Sequence, residues 1–334
     1  MKHACVPRRK LTAIFSALAL SFGLSQTTAA QGEADYPKRP IRLVVGFATG
    51  GSNDLIARIL APELGKQLGV EVFVDNRPGA NGMIGTEHVA NSAPDGYTIT
   101  LGSISPFVLN PQVYSSVKYN MKSDFLGISL VGMTPQVLAV NKDAGMKSLA
   151  DFVAQAKSKP GSITLGTSGI GGNSHLAIEL LKTAANVDVR DVAYKGTGPA
   201  INDALGGHLT GVMADLPGIL ELVKSKKIIA LAVTSEERDV LLPEVATAKE
   251  QGLADLVAVN WFAVMVPKGT PEPIVAKLHD AVVKATQSEY LKDRFKNMGV
   301  TPQNSESPVA FTEYFNREYD RWGSIIKASG IRVN

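Results

Sequence analysis

Three loops of the chain combine glycines with short polar side chains, and each lies between a predicted strand and a predicted helix. Residues 47–54 read FATGGSND, residues 166–175 read GTSGIGGNSH, and residues 194–199 read YKGTGP. Paired glycines let the backbone turn tightly. A helix that begins at such a loop presents free N–H groups, which attract a carboxylate or a phosphate. The loops therefore predict an anion site, although a turn with a helix cap explains the first loop equally well when it is taken alone.

The second loop does not match the motifs of nucleotide-binding proteins. Gly169-x-Gly171-x-x-Ser174 lacks the third glycine of the dinucleotide motif, and the chain has no Gly-Lys-Ser/Thr for a P-loop. We expect no cofactor.

The polar side chains of the second loop give little support to catalysis. Ser168 is followed directly by Gly169 and Ile170, so the Gly-x-Ser-x-Gly motif of hydrolases is absent. His175 follows Ser174 directly, and adjacent residues at a helix start point in different directions. A role in capping or in ligand contact is favoured, and we expect the protein not to be an enzyme. A secreted hydrolase that uses Ser168, Ser174 and His175 remains the minor alternative.

The histidines do not predict a metal site. None of His88, His175, His208 and His279 belongs to an HExxH motif or has a histidine partner four residues away.

Two charged residues accompany the third loop. Lys195 could pair with an anion, although a lysine beside a turn is more commonly a surface residue. Asp215 is less usual because it lies in the apolar segment VMADLPG. It could orient a loop, or accept a hydrogen bond from a ligand's ammonium or hydroxyl group.

The first thirty residues have the pattern of a secretory signal peptide. Residues 1–10 carry four bases and no acid, residues 11–25 are apolar, and residues 28–30 are small. The apolar run is shorter than the roughly 20 residues of a membrane span, which disfavours an anchor. Cys5 precedes the apolar run, which disfavours a lipoprotein. We predict cleavage after Ala30 and export to the periplasm.

Charge and cysteine content exclude several function classes. The chain has 34 Lys and Arg against 31 Asp and Glu, a net charge of +3. Because the predicted signal peptide contains four bases, the remainder has 30 against 31, a net charge of −1. That balance gives no support to binding of nucleic acid or an anionic membrane. The only cysteine, Cys5, would be removed, which excludes disulfides and thiolate metal sites.

Short β-branched segments alternate with amphipathic helical segments from about residue 36. The same alternation begins again near residue 140, with a predicted strand at 137–140. Such alternation predicts α/β structure with mostly parallel sheets and helices on both faces, here in two lobes. Ligands bind beyond the carboxyl ends of the strands in such sheets, so a cleft between the lobes is the expected site. The C-terminal tail is predicted to be helical over 273–285, 289–296 and 309–327.

An ordered set of short motifs gives the chain a family resemblance from about residue 36 to its C-terminus. The motifs are YPxRPI from Tyr36, FAxGGxxD from Phe47 with Arg58, VxNRPGAxGxxG from Val74, APDGYT from Ala93, SHL from Ser174, YKG from Tyr194, and WF followed by PxGTP from Trp261 to Pro271. Each motif is weak, but the ordered set is highly specific. The chain resembles the Bug family, the TctC-like receptors of tripartite tricarboxylate transporters.

The resemblance implies a type II periplasmic-binding-protein fold, an α/β architecture of two lobes with a ligand cleft between them. Lobe 1 would comprise residues 31–138 and 259–334, and lobe 2 residues 139–258. It implies a monomeric receptor that captures a dicarboxylate, tricarboxylate, acidic amino acid or aromatic acid and delivers it to membrane permease subunits. A periplasmic sensor that presents its ligand to a signalling receptor is the alternative within this class.

The resemblance also implies which residues contact the ligand. Carried over to this sequence, they are Phe47, Ala48, Thr49, Gly50, Gly51, Asp54, Thr167, Ser168, Ser174, His175, Gly196 and Asp215. Two departures from the family pattern concern the side chains that select the ligand. Thr49 stands where a proline is common, and residues 171–173 (GGN) stand where a shorter or serine-rich stretch is common.

Overall fold

A computed structural model of the chain describes residues 1–3 and 36–332. Nearly all of the predicted signal peptide, its cleavage point and Cys5 lie outside these residues. Contacts divide the chain into one unit of residues 1–36 and another of residues 37–334, and every element below belongs to the second. None of the described helices combines the length and the apolar character needed to cross a membrane.

Strands and helices alternate along most of the described chain. The strands are β1 (Ile41–Val45), β2 (Val72–Asn76), β3 (Thr98–Ser103), β4 (Phe125–Asn141), β5 (Thr164–Thr167), β6 (Arg190–Ala193), β7 (Gly211–Asp215), β8 (Ile228–Val233), β9 (Val259–Pro267) and β10 (Thr301–Pro302). The α-helices are α1 (Ser52–Leu68), α2 (Met83–Ala90), α3 (Asn110–Val113), α4 (Leu149–Ser158), α5 (Asn173–Ala185), α6 (Thr197–Leu205), α7 (Leu216–Lys224), α8 (Glu272–Gln287), α9 (Glu289–Lys296) and α10 (Pro308–Ser329). A 3₁₀ turn (Ala80–Gly82) precedes α2, and a π-helix (Ser105–Leu109) precedes α3.

The strands join in the order β2-β1-β3-β9-β4-β7-β5-β6, and β8 and β10 also pair with β4. The two ends of this path are parallel, since β1 pairs in parallel with β2 and β3, and β5 with β6 and β7. The prediction of mostly parallel sheets is wrong for the middle of this strand order, where β9 and β4 lie. Among the described strands, every pairing of β4 or β9 is antiparallel. β4 carries the chain from one group of strands to the other, and β9 returns it.

β4 is far longer than the strand predicted at residues 137–140. It has 17 residues, pairs with β9 through Pro135, and pairs with β7 from Gln136 onward. Its first half escaped prediction because glycines interrupt the apolar pattern. Those glycines are packing sites: a Cβ at Gly127 would lie 2.1 Å from the Phe311 ring, and one at Gly132 would lie 2.8 Å from Val300.

The C-terminal helices follow the prediction closely and pack on the first group of strands. α8 packs on α1 and on β4, and α10 packs on β4. Trp261 of β9 and Trp322 of α10 are fully buried in the same apolar core as Phe107. A second apolar cluster joins the buried faces of α6 and α7 to β7, and it includes Ala200, Val212 and Ile219.

A close approach of two backbones fixes the loop that follows β1. A Cβ at Gly46 would lie 2.6 Å from the carbonyl oxygen of Gly82, and a Cβ at Gly85 would lie 2.7 Å from the Gly46 Cα. Only glycine allows this contact, since real Cβ atoms do not approach backbone so closely. The contact holds the start of the loop at Phe47 against the turn before α2.

We expect Gly46→Ala to destabilise the protein by about 1–3 kcal/mol, because the added methyl group forces the two backbones apart. Urea unfolding followed by circular dichroism measures the change. Gly218→Ala in α7 is the matched control, since its Cβ would lie 3.7 Å from Ile201 and meet no close atom. The control should gain up to about 1 kcal/mol by restricting the unfolded chain. Equal stability of the two variants would contradict this account.

Candidate functional site

The three glycine-containing loops meet at one cavity of about 250 Å³. It lies where β1, β5, β6 and β7 end and the helices that follow them begin. Nine of the twelve predicted ligand residues line this cavity: Phe47, Ala48, Thr49, Gly50, Gly51, Ser168, Ser174, Gly196 and Asp215. Asp54, Thr167 and His175 do not line it.

The helices that begin at the cavity have no side-chain cap. Glycines occupy the N-cap positions of α1, α5 and α6, namely Gly51, Gly172 and Gly196. By contrast, serine hydroxyls cap three helices elsewhere in the described chain: Ser148 caps α4, Ser288 caps α9 and Ser307 caps α10. Uncapped helix starts leave N–H groups and the positive end of the helix dipole free for an anion. Three such starts therefore make the cavity electropositive without requiring a buried cation.

Serine side chains add further polar groups. Ser174 Oγ accepts a hydrogen bond from the backbone N–H of Ser168 at 2.9 Å and lies 3.0 Å from Ser168 Oγ. Ser105 Oγ accepts from the backbone N–H of Asn173 at 3.1 Å, which uses one donor of α5. A serine hydroxyl that accepts from the backbone keeps its own proton to donate. These serines therefore add donors to those of the helix starts.

Asp54 lies behind the first loop. Its buried carboxylate accepts from the backbone N–H of Gly50 at 2.9 Å, from Arg58 Nε at 3.0 Å and from Asn76 Nδ2 at 3.0 Å. Burial raises its pKa, but the hydrogen bonds from Arg58, Gly50 and Asn76 outweigh burial and hold the pKa below its usual range. In this structure Asp54 fixes the shape of the loop and does not face the cavity.

His175 has a similar supporting position in the second loop. Its Nδ1 accepts from the backbone N–H of Gly171 at 3.1 Å, and its Nε2 lies 3.3 Å from Asp191 Oδ2. The hydrogen bond from His175 is the main cause that holds the pKa of Asp191 far below its usual range. Within the described residues His175 forms no hydrogen bond with Ser168 or Ser174, so the hydrolase arrangement is not assembled.

Thr167 is buried at the end of β5, and its hydroxyl accepts from the backbone N–H of Gly169 at 3.3 Å. It therefore supports the glycine turn from below and does not reach the cavity.

His175, Glu179 and Asp191 bring three potential metal ligands together. Lys182 Nζ already lies 2.6 Å from Glu179 Oε1 and 2.9 Å from Asp191 Oδ1. The ammonium group occupies the place that a metal ion would take, so this cluster is an ion-pair network.

Asp215 closes the inner end of the cavity. Its side chain is 8% exposed, and it accepts hydrogen bonds from Gln136 Nε2 and, at 2.9 Å, from Asn260 Nδ2. Burial raises the pKa of Asp215 to about 6, and the hydrogen bonds from Asn260 and Gln136 lower it only in part.

Eleven further residues line the cavity beside the predicted ligand contacts. Seven lie in the three loops already singled out, namely Ser52, Asn53, Asn173, Lys195, Thr197, Gly198 and Pro199, whereas Ser103, Ser105, Gln136 and Asn260 were not predicted from the sequence. Gln136 and Asn260 interrupt otherwise apolar strands, a signal that sequence reasoning did not use. Both are nearly fully buried, and Asn53 Oδ1, Gln136 Oε1, Asn260 Oδ1 and both amide atoms of Asn173 have no hydrogen-bond partner. Buried polar atoms are normally paired, so these atoms point to a polar ligand or water.

Known proteins of similar sequence and structure include a periplasmic transporter and the periplasmic binding protein BugD. The chain is 37% identical to protein BugT of Bordetella pertussis over 299 residues, which is 89% of this chain and 91% of BugT. The structure of R. palustris Rpa4515 with adipate matches with a TM-score of 0.86 and 32% identity, covering 89% of this chain and 99% of that one. MatC (Rpa3494) from Rhodopseudomonas palustris with bound malate matches with a TM-score of 0.82 and 29% identity, covering 87% of this chain and all of that one.

These matches span nearly the whole described chain, and they show the α/β fold of periplasmic binding proteins. Residues 56–331 match the model of the tripartite tricarboxylate transporter family receptor, TctC. The chain therefore belongs to the TctC family of receptors, which includes the Bug proteins.

Proposed function

We propose that this protein captures a small carboxylate in the periplasm and delivers it to the permease subunits of a tripartite tricarboxylate transporter. The observation that carries the proposal is the convergence of three uncapped helix starts, at Gly51, Gly172 and Gly196, on one cavity. Helix N-termini of this kind bind an anion through their backbone N–H groups.

The size of the cavity agrees with a small ligand. Its volume of about 250 Å³ is near the lower end of ligand-binding pockets, about 300 Å³. A second, more apolar cavity of about 830 Å³ shares Phe47, Ser168 and Lys195 with it. A longer ligand would place one carboxylate at the helix starts and its remainder towards this second cavity. The adipate of Rpa4515 and the malate of MatC are ligands of such sizes.

We propose that two lobes close on the ligand, with residues 31–138 and 259–334 in lobe 1 and residues 139–258 in lobe 2. The register of β4 supports this division, because the strand exchanges β9 for β7 as its partner at Gln136. Gly51 and Gly196 then belong to different lobes. A ligand bound to both helix starts stabilises the closed state.

We further propose that residues 1–30 direct the chain to the periplasm and that the receptor acts as a monomer. Membership of a receptor family for tripartite transporters supports delivery to a permease. The sensor alternative would use the same ligand site but another partner.

A thermal-shift series tests ligand binding. Purified protein, unfolded and refolded to remove carried-over ligand, is heated with adipate, malate, citrate and benzoate. A carboxylate at 100 times its Kd should add about 2.7 kcal/mol to the free energy of unfolding. This raises Tm by several degrees. A well-folded protein that responds to no carboxylate would contradict the proposal.

We expect Gly198→Asp to lower carboxylate affinity at least tenfold. Gly198 lines the cavity in the first turn of α6, where a Cβ meets no atom within 4 Å. The added carboxylate is favourable for the helix but repels the ligand. Isothermal titration calorimetry measures the loss. Val309→Asp adds the same charge to the exposed first turn of α10, which is not part of the cavity lining, and should leave affinity unchanged. Equal losses in both variants would assign the effect to net charge.

An uptake assay tests the transport role. Cells that lack the gene should take up the radiolabelled carboxylate found in the thermal-shift series at less than about a tenth of the normal rate. A plasmid copy should restore uptake, and the Gly198→Asp copy should not. Normal uptake in the deleted strain, with a lost transcriptional response to the same carboxylate, would favour the sensor alternative.

A further inference from the structure

Three carboxylates are buried among the described residues, and two of them face a cation. Asp54 Oδ1 lies 2.9 Å from Arg58 Nη2, and Glu63 Oε1 lies 2.5 Å from Lys66 Nζ. Asp215, the third, has only neutral hydrogen-bond partners. Acidic side chains are almost never buried without a cation, because removing the charge from water is costly.

The groups around Asp215 come from four elements. Asp215 itself ends β7, Gln136 approaches from β4, Asn260 from β9 and Ser52 from α1. None of these three neighbours titrates. Lys195 is the charged group in the lining of this cavity besides Asp215, but it is exposed and forms no ion pair with Asp215 in the described structure. With a pKa of about 6, Asp215 is mostly ionised at neutral pH. It is the N-cap residue of α7, and the dipole of that helix favours its negative charge, but no cation among the described residues pairs with it.

The same end of the cavity also has acceptors that lack donors. Gln136 and Asn260 use their amide N–H groups on Asp215, which leaves Gln136 Oε1 and Asn260 Oδ1 buried and unpartnered. The cavity therefore has two chemically distinct sides. The helix starts and serines provide donors for a carboxylate, whereas Asp215, Gln136 and Asn260 provide acceptors for a group that carries protons.

We propose that the ligand of this cavity carries an ammonium group as well as its carboxylate, and that Asp215 is the counter-ion of that ammonium. A hydroxyl would satisfy one acceptor and leave the buried charge uncompensated, whereas an ammonium donates three hydrogen bonds and neutralises Asp215. The ligand class is thus an amino acid. This inference rests on the proposed function, because it assumes that the donor side binds a carboxylate.

Calorimetric titrations with matched ligands test the inference. Succinate, malate and aspartate share one carbon skeleton and differ by hydrogen, hydroxyl and ammonium, and glutarate and glutamate repeat the comparison one carbon longer. For the ligand length that binds, the ammonium compound should bind at least tenfold more tightly than its hydrogen and hydroxyl partners at pH 7.5. Adipate is included as a longer plain dicarboxylate.

Variants separate this role from a general effect on the site. Asp215→Asn keeps the shape of the side chain and removes its charge. In this variant the affinities for the ammonium compound and for its partners should differ by less than threefold. Ser174→Ala changes the donor side and should weaken both members of a pair by a similar factor, which leaves the preference intact. A cooperative thermal unfolding transition and an unchanged circular dichroism spectrum without ligand show that both variants fold.

The pH dependence gives an independent readout. An ammonium stabilises ionised Asp215, so the affinity for the amino acid should rise as pH increases through about 6 and level off above it. Above about pH 6.5, where its own carboxyl groups stay ionised, a plain dicarboxylate should lose affinity as pH increases, since it is repelled by ionised Asp215. Asp215→Asn should abolish this loss and the rise for the amino acid.

The outcomes distinguish the two proposals. Plain dicarboxylates that bind at least as tightly as their ammonium partners, or a preference that survives Asp215→Asn, would overturn the inference and leave the carboxylate receptor in place. A folded protein that binds none of these compounds would overturn the proposed function, and the inference with it.

Discussion

The structure depends on the pairing of one buried strand, β4, with four other strands. Its first half pairs with β9 and β10 and its second half with β7 and β8. Because 14 of its 17 residues are buried, the strand is bound to both groups of strands by apolar packing as well as by hydrogen bonds. Gln136 lies where β4 exchanges β9 for β7, and its amide contacts Asp215 in the cavity. The residue that joins the two halves of the sheet therefore also belongs to the candidate site.

The loops around the cavity owe their shape to residues that face away from it. Asp54 accepts the Gly50 N–H from behind the first loop, and His175 accepts the Gly171 N–H from behind the second. Asp54 is held by an ion pair with Arg58, and His175 by the contact of its Nε2 with Asp191. Side chains behind the loops thus hold the backbone, and the backbone presents neutral donors to the cavity. This division avoids placing a fixed, desolvated cation beside the ligand, which would be costly in the empty state.

The sequence predicted the strand-to-helix loops well because glycines and short polar residues act locally. Nine of the twelve expected residues line the cavity for that reason. Asp54 and His175 were placed on the ligand side because a motif gives the type and position of a residue but not the direction of its side chain. Gln136 and Asn260 were missed because their role arises from long-range pairing: Gln136 is 79 residues from Asp215, and Asn260 is 45. The glycines of β4 misled the strand prediction because they are required by Phe311 and Val300, which lie far along the chain.

Asp54 and Asp215 show how surroundings decide what an acidic residue does. Both are buried, and both accept hydrogen bonds from an asparagine. The guanidinium group of Arg58 forms an ion pair with Asp54 and helps to hold the pKa of Asp54 below its usual range. Asp54 therefore stays ionised at neutral pH, which suits a structural role. Asp215 has no such neighbour, and with its pKa near 6 the protonated form lies only about 1.4 kcal/mol above the ionised form at neutral pH. A carboxylate in that condition responds strongly to any added cation or anion, because small changes in interaction free energy shift its protonation. The inner end of the cavity is therefore where ligands of similar shape but different charge are most easily told apart.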